Sequence, residues 1–295
     1  MYNKYLITGV SGMLFNDLKH LISDKECLLL DRVVNNESTV YCDISDIKQT
    51  NKIVNKFKPD IILNLAAITD LENCENDKDD CYGSNTIGAI SLFNYCKDNN
   101  IPYVFISTAG IFGNDKEYYT EDDIPKPLST YGKSKFFVEE ILLNQSYEKF
   151  WIFRAGWMMG GGPNIDKKFV EKIMSQIRNG NKELFVVDDK SGVPTFTKDF
   201  SNSIIHHINN NLPYGLYNMV SSGDASRYDV AKFIVEYLGL DVKVTKVMSD
   251  FFKDSYFATR PNSEKLINKK LNDIDKNLMS DWVFSLETYL DLYYK

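Results

Sequence analysis

The apolar run Lys4-Tyr-Leu-Ile-Thr8 breaks at Gly9-Val-Ser-Gly12, and the helical pattern Met13-Leu-Phe-Asn-Asp-Leu-Lys-His-Leu-Ile22 follows at once. A strand, a glycine turn and a helix in that order leave the free N–H groups of the helix start aimed out of the carboxyl end of a parallel strand. That arrangement receives a pyrophosphate. A bare Gly-x-x-Gly also serves ordinary turns, so the rest of the chain has to supply the sheet. Further apolar runs lie at 27–31, 40–44, 59–68, 101–108 and 150–154, separated by helical stretches that include 47–57, 80–97 with Asn85 turned inward, and the segment around 131–139. Six strands alternating with helices predict an α/β fold with a Rossmann-type, doubly wound parallel sheet.

From Gly156 the pattern changes. Gly156-Trp-Met-Met-Gly-Gly-Gly-Pro163 is loop-like, and helical stretches near 166–178, 197–209 and 227–238 alternate with short strands. No linker tract or internal repeat intervenes. We therefore expect a dinucleotide-binding domain over 1–155 and a smaller C-terminal α/β substrate lobe over 156–295, packed against it.

Charge and cysteine usage narrow the function. Against 41 acidic residues stand 34 basic ones, a net charge of −7 with no basic cluster, which argues against nucleic-acid binding. No apolar run approaches membrane-spanning length, and the N-terminal residues lack a signal-peptide core, so a cytoplasmic protein is expected. Five scattered cysteines without Cys-x-x-Cys spacing fit reduced thiols, and three histidines give no metal-ligand spacing. No metal site is expected.

The chemistry concentrates in Leu128-Ser-Thr-Tyr131-Gly-Lys-Ser-Lys135. On a helix, Tyr131 and Lys135 share a face one turn apart. An ammonium beside a phenol lowers its pKa from about 10 toward the working pH, and such a phenol can protonate a carbonyl oxygen as a hydride reaches the carbon. The spacing recurs at Tyr228 and Lys232 without other support, so context has to choose between the pairs. Ser107-Thr108 ends a strand that a crossover brings near Tyr131. Asp31 closes the second strand, where a ribose hydroxyl is usually read, although a carboxylate there can also simply cap a turn. Asp43 is positioned to face an adenine edge. Trp157 suits either a sugar face or an ordinary core.

In combination these motifs resemble the extended short-chain dehydrogenase/reductases, and within them the dTDP-4-dehydrorhamnose reductase group. Gly9-x-x-Gly12, Asp31, Asp43-Ile44 and Asn64-Leu-Ala-Ala-Ile-Thr69 match the cofactor side. Ser107-Thr108, Tyr131-x-x-x-Lys135 and Glu139 match the catalytic side. Arg154-Ala-Gly-Trp157, Asp188-Asp189, Gly192-Val-Pro-Thr195 and Arg260-Pro-Asn-Ser263 match the substrate side. The resemblance implies a reductase of a nucleotide-linked 4-keto-deoxysugar. Thr108, Tyr131 and Lys135 would be catalytic, with Lys135 lowering the pKa of Tyr131. A nicotinamide cofactor would be held by Gly9, Ser11, Gly12, Met13, Leu14, Asp31, Arg32, Asp43, Ile44, Leu65, Ala66, Ala67, Tyr131 and Lys135. The substrate would meet Thr108, Ala109, Trp157 and Arg260.

Asp31 favours NAD(H), and Arg32 beside it keeps NADP(H) as a second option. A homodimer is compatible with the group. Two departures stand out: Phe15 replaces the usual third glycine, and Ala109-Gly110 replaces the Asp-Tyr pair that usually follows the threonine. Neither Ala109 nor Gly110 can move a proton through a side chain, so simple reduction fits better than elimination or epimerisation. The beta subunit of methionine adenosyltransferase resembles the same group, so a cofactor-binding regulatory subunit without turnover is the alternative. Reduction of a non-sugar carbonyl is a third reading.

Overall fold

The computed structural model describes residues 2–295. Its first half alternates strand and helix: β1 Lys4–Thr8, α1 Met13–Leu18, β2 Glu26–Asp31, β3 Thr39–Tyr41, α2 Ile47–Phe57, β4 Ile61–Asn64, α3 Leu71–Asn76, α4 Lys78–Tyr82, α5 Ala89–Asn99, β5 Tyr103–Thr108, β6 Tyr118–Tyr119, α6 Thr130–Leu143 and β7 Phe150–Ala155. The second half runs β8 Trp157–Met159, α7 Phe169–Arg178, β9 Glu183–Val187, β10 Ser191–Gly192, β11 Pro194–Phe196, α8 Thr197–Asn209, β12 Gly215–Asn218, β13 Ala225–Ser226, α9 Arg227–Tyr237, β14 Lys243–Val247, β15 Ser263–Leu266, α10 Lys269–Asp273 and α11 Trp282–Tyr293.

Seven strands form the central sheet in the order β12-β7-β5-β4-β1-β2-β3, every neighbouring pair parallel. The order runs outward in both directions from β1, as in a doubly wound sheet, and its reversal opens a crevice at the strand carboxyl ends. Each face buries its own core. Phe15, Leu18, Phe153, Phe200 and Ile204 belong to one, and Leu6, Phe93, Phe105 and Val138 to the other. Phe15 thus fills part of the first core, which α8 completes with Phe200 and Ile204.

Three local expectations change. The seventh strand, β12, comes from beyond residue 155, and α8 before it packs on α1, so the sheet recruits a return of the chain through the second half. The strand expected over 40–44 stops at Tyr41: Asp43 turns the chain by accepting from the N–H and hydroxyl of Ser45, at 2.9 and 2.7 Å. The single helix expected over 80–97 is interrupted by a π-helical segment, Gly83–Gly88, and α3 precedes it. Such wide turns relieve the helical ladder locally and often mark functional sites.

Outside the central sheet lie small sheets, β13-β10-β15-β6, β11-β8 and β14-β9, which draw β6 from the first half of the chain, and a further core includes Met174, Leu184, Val230, Ile234 and Leu286. Among the described residues no helix is long and apolar enough to cross a membrane.

Candidate active site

Gly9 closes the turn after β1 with φ +73°, and a Cβ on it would lie 2.5 Å from the Ala66 amide nitrogen. A side chain there meets backbone that cannot move aside, so the loop passes close over the end of β4 only as glycine. Thr8 fastens the two strand ends. Its hydroxyl donates to Asn64 Oδ1 (2.6 Å), and it accepts from the Ala66 N–H (3.3 Å). Beneath the loop is a cavity of about 180 Å³ whose lining includes Gly9, Asp31, Arg32, Ile44, Ala66 and Ala67. Six sequence-predicted residues therefore meet around one space. A larger cavity of about 520 Å³ lies between α2 and α5, away from the strand ends and from every candidate residue.

Asp31 accepts from the N–H groups of Ser11 and Val33, each at 2.8 Å. The carboxylate caps a turn, as one of the two sequence readings has it, and it stands on the cavity wall. Arg32 reaches Asp80 at 2.8 Å and Asp43 at 3.5 Å. Burial alone would raise the Asp43 carboxyl, but the Ser45 hydrogen bonds and Arg32 outweigh it and hold it below the ordinary value.

Tyr131 opens α6, and the next residue explains how it comes so close to β5. A Cβ at Gly132 would lie 2.4 Å from the Gly110 carbonyl oxygen, so a helix with any side chain there would stand further off. Ser129 caps the helix by accepting from the Gly132 N–H (3.1 Å). Glu75 on α3 takes the Thr130 N–H (2.7 Å) and hydroxyl (2.6 Å). Asn85, fully buried in the π-helical segment, accepts from the Ile68 N–H (2.7 Å) and donates to the Ser134 hydroxyl (3.1 Å). It ties the loop after β4 to α6. Deeper in, Glu139 and Arg154 form a buried pair, Nη2 to Oε2 at 2.6 Å and Nε to Oε1 at 3.0 Å, which locks α6 onto β7.

Burial pushes the Tyr131 phenol well above its ordinary pKa; the Thr108 hydroxyl pulls against this, and the Glu264 carboxylate adds to the rise. The expected downward pull from Lys135 is not what the structure shows. The Lys135 amine sits 4.0 Å from the centroid of the Phe105 ring, and burial brings its own pKa down to about 7. An amine only partly protonated at neutral pH is a weak lever on a neighbouring phenol. The second pair is different in kind. Tyr228 lies 4.4 Å under Lys246, and Lys232 forms an exposed pair with Glu236 on α9.

Across the cleft, the Trp157 N–H donates to Glu264 Oε2 at 2.6 Å, and the Arg227 guanidinium covers the ring 3.6 Å from its centroid. Arg260 forms a two-point pair with Glu72 of α3 (2.8 and 2.9 Å), and Lys168 reaches the Thr69 hydroxyl at 2.7 Å. Burial lowers the Arg227 pKa to about 10, Glu264 opposes this, and Arg260 repels it. Glu264, Arg227, Lys168 and Glu72 escaped the sequence reading, which found motifs at Trp157 and Arg260 but had no signal for what they touch. All five cysteines are free thiols, and no group of three metal-ligating side chains occurs among the described residues.

The parallel sheet, the glycine turn and the Thr-Tyr-Lys cluster at the strand ends define an extended short-chain dehydrogenase/reductase fold. Within that class, the chain belongs to the RmlD substrate binding domain family, whose model matches residues 3–295. It is 33% identical over 251 residues to the spore coat polysaccharide biosynthesis protein SpsK of Bacillus subtilis, covering 84% of this chain and 83% of that protein. It is 30% identical over 253 residues to a dTDP-4-keto-6-deoxy-D-glucose reductase of Streptomyces niveus, covering 85% and 84%. The crystal structure of a dTDP-4-dehydrorhamnose reductase from Bacillus anthracis in complex with NADP superposes with a TM-score of 0.88 at 27% identity, over 99% of this chain and all of that one.

Proposed function

We propose that this protein is a nicotinamide-dependent reductase of a nucleotide-linked 4-keto-deoxysugar. The observation that carries the reading is the close packing of α6 on the end of β5, where Gly132 meets the Gly110 carbonyl and the Thr108 hydroxyl acts on the Tyr131 phenol, together with the cavity under the Gly9 turn. The cavity suits an adenosine and pyrophosphate: a left-handed glycine against a bare backbone, small residues at Ala66 and Ala67, and a carboxylate at Asp31. A bound reduced nicotinamide supplies the hydride. The Thr108 hydroxyl holds the ketone oxygen, and Tyr131 gives it the phenolic proton as negative charge develops there. A phenol held above its ordinary pKa stays protonated at neutral pH, as an acid must before the reaction. Lys135, buried behind it, holds the cofactor's ribose.

Residues 1–155, completed by β12, would bind the cofactor, and the remaining second lobe the sugar nucleotide, with Trp157 and Arg260 as contacts. The relatives named for reduction of dTDP-linked keto sugars support the substrate class. A cytoplasmic location and a homodimer are compatible with the same reading; fractionation and sedimentation test them. The deciding assay follows NADH or NADPH oxidation with a dTDP-linked 4-keto-6-deoxyhexose. Turnover is expected. Cofactor binding without turnover across a panel of nucleotide-linked 4-keto sugars would instead establish the regulatory-subunit reading.

A further inference from the structure

Glu264 sits on β15, beside the short helical turn that follows Thr108. One of its carboxylate oxygens, Oε2, accepts the Trp157 N–H at 2.6 Å. The other, Oε1, lies 3.3 Å from where a Cβ would stand on Gly110 and accepts no hydrogen bond among the described residues. Gly110 is one of the two positions at which the chain departs from the Asp-Tyr pair usual in its group. The room left by that missing side chain is thus faced by a carboxylate arriving from a distant segment. Glu264 is only half-buried, Oε1 keeps its lone pairs unshared, and the charge is felt by both Tyr131 and Arg227.

We propose that Glu264 is the specificity-determining residue for the sugar, accepting through Oε1 a hydrogen bond from a hydroxyl of the hexose ring next to the reacting ketone. The proposal rests on the reading of the cleft as a nucleotide-sugar site. A carboxylate in that place favours a ring that presents a donor and disfavours one that is deoxygenated or acidic there, because an anionic acceptor without a donor loses its solvation for nothing. The bland alternative is that Glu264 only anchors Trp157. Trp157 is already fixed without it: Arg227 covers its face, and its edge fills the space beside Gly192, where a Cβ would lie 2.5 Å from the ring. A second, unshared oxygen is not needed for an anchor.

Glu264→Gln separates the two roles. The glutamine carbonyl still accepts the Trp157 N–H, while the amide puts a donor where Oε1 was an acceptor. Calorimetry on cofactor-loaded protein would compare thymidine diphosphate with thymidine diphosphate glucose, neither of which reacts. We expect Glu264→Gln to weaken binding of the sugar-bearing ligand by about tenfold or more, with the bare diphosphate unchanged within about twofold. Glu264→Asp, which withdraws the acceptor by one methylene, should fall between. Equal affinity of variant and wild type for the sugar-bearing ligand, or a parallel loss for both ligands, overturns the proposal. Turnover is scored separately. Wild-type protein that binds the sugar through Glu264 but reduces no keto form refutes the reductase reading and leaves Glu264 in place.

Discussion

On the sheet side of the cleft, the loop and strand-end residues are held largely by main chain. Gly9 rests on the Ala66 backbone, Asp31 on the Ser11 and Val33 amides, and Gly132 on the Gly110 carbonyl. On the lobe side, Trp157, Arg227, Arg260 and Glu264 come from three separate segments, Arg260 and Glu264 sharing the stretch that enters β15, and hold one another, or Glu72, through side chains. Main-chain partners come with the fold and tolerate few substitutions. Side-chain partners can be exchanged singly without moving the sheet. The contrast suits a protein whose cofactor half is constant chemistry and whose substrate half can be retuned.

The largest expected effect lies on the sheet side. Tyr131→Phe removes the phenolic proton and keeps the ring, so reduction should slow by about 10²–10⁴, the usual worth of a general acid, with NADH affinity little changed. Tyr228→Phe, in the pair on α9, should leave the rate nearly intact. Stopped-flow single-turnover rates decide. A Tyr131→Phe enzyme with most of its activity would show the acid to be another group.

Two carboxylate–arginine pairs of similar two-point geometry test the contrast in stability. Glu139–Arg154 is almost fully buried, whereas Glu72 and Arg260 keep 15% and 30% of their side chains exposed. Removing one partner of a buried pair strands the other without water, so Glu139→Ala should cost about 3–5 kcal/mol. Glu72→Ala, at a pair that keeps some access to solvent, should cost less than Glu139→Ala. Urea unfolding of both variants reads this directly. Equal losses would mean that the lobe side depends on its side-chain contacts as strongly as the sheet side does.

A further effect is pH-dependent. Lys135 has a folded pKa of about 7 against an ordinary value of 10.5. Between those values the unfolded chain binds more protons, so this residue makes the cofactor-free protein gain stability as pH rises from 7 toward 10.5. Lys135→Met should flatten that slope, and because Met needs no solvation it should not destabilise the cofactor-free protein at pH 7. Its harm should appear in cofactor binding and turnover. Thermal melts across the pH range check the sign; a steeper slope in the variant would contradict it.

The same contrast sets what could be read from the sequence. The central strands, the glycine turn, Asp31, Thr108 and Tyr131 were legible because strand–turn–helix periodicity places them without knowledge of any distant contact. Glu264 was not, because its meaning depends on Gly110, 154 positions away, lacking a side chain. β12 was missed as a sheet member because a four-residue strand carries almost no periodicity, and its partner β7 lies about 60 residues earlier. Lys135 was read correctly as a neighbour of Tyr131 along the helix. Its electrostatic effect was not legible, since burial over the Phe105 ring decides the amine's charge.

The smallest predicted effect concerns the cofactor itself. Asp31 stands on the cavity wall with both oxygens already accepting main-chain N–H groups, each oxygen keeping a lone pair for a ribose hydroxyl. A 2′-phosphate brought to the same place meets that carboxylate as a like charge. Arg32 is the natural counterweight, being next in sequence and about one-third exposed, but its guanidinium is drawn toward Asp80 and Asp43. To serve a phosphate it has to leave the 2.8 Å contact with Asp80, a surface pair that solvent weakens. Repulsion by Asp31 and recruitment of Arg32 are then of similar size. NADH should bind better than NADPH, by less than about tenfold, or 1.4 kcal/mol. Asp80→Asn frees Arg32 and should move the ratio toward NADPH, whereas Arg32→Ala should move it toward NADH. Dissociation constants from fluorescence titration measure all three, and a wild-type preference for NADPH above tenfold would show that Arg32, not Asp31, governs this wall.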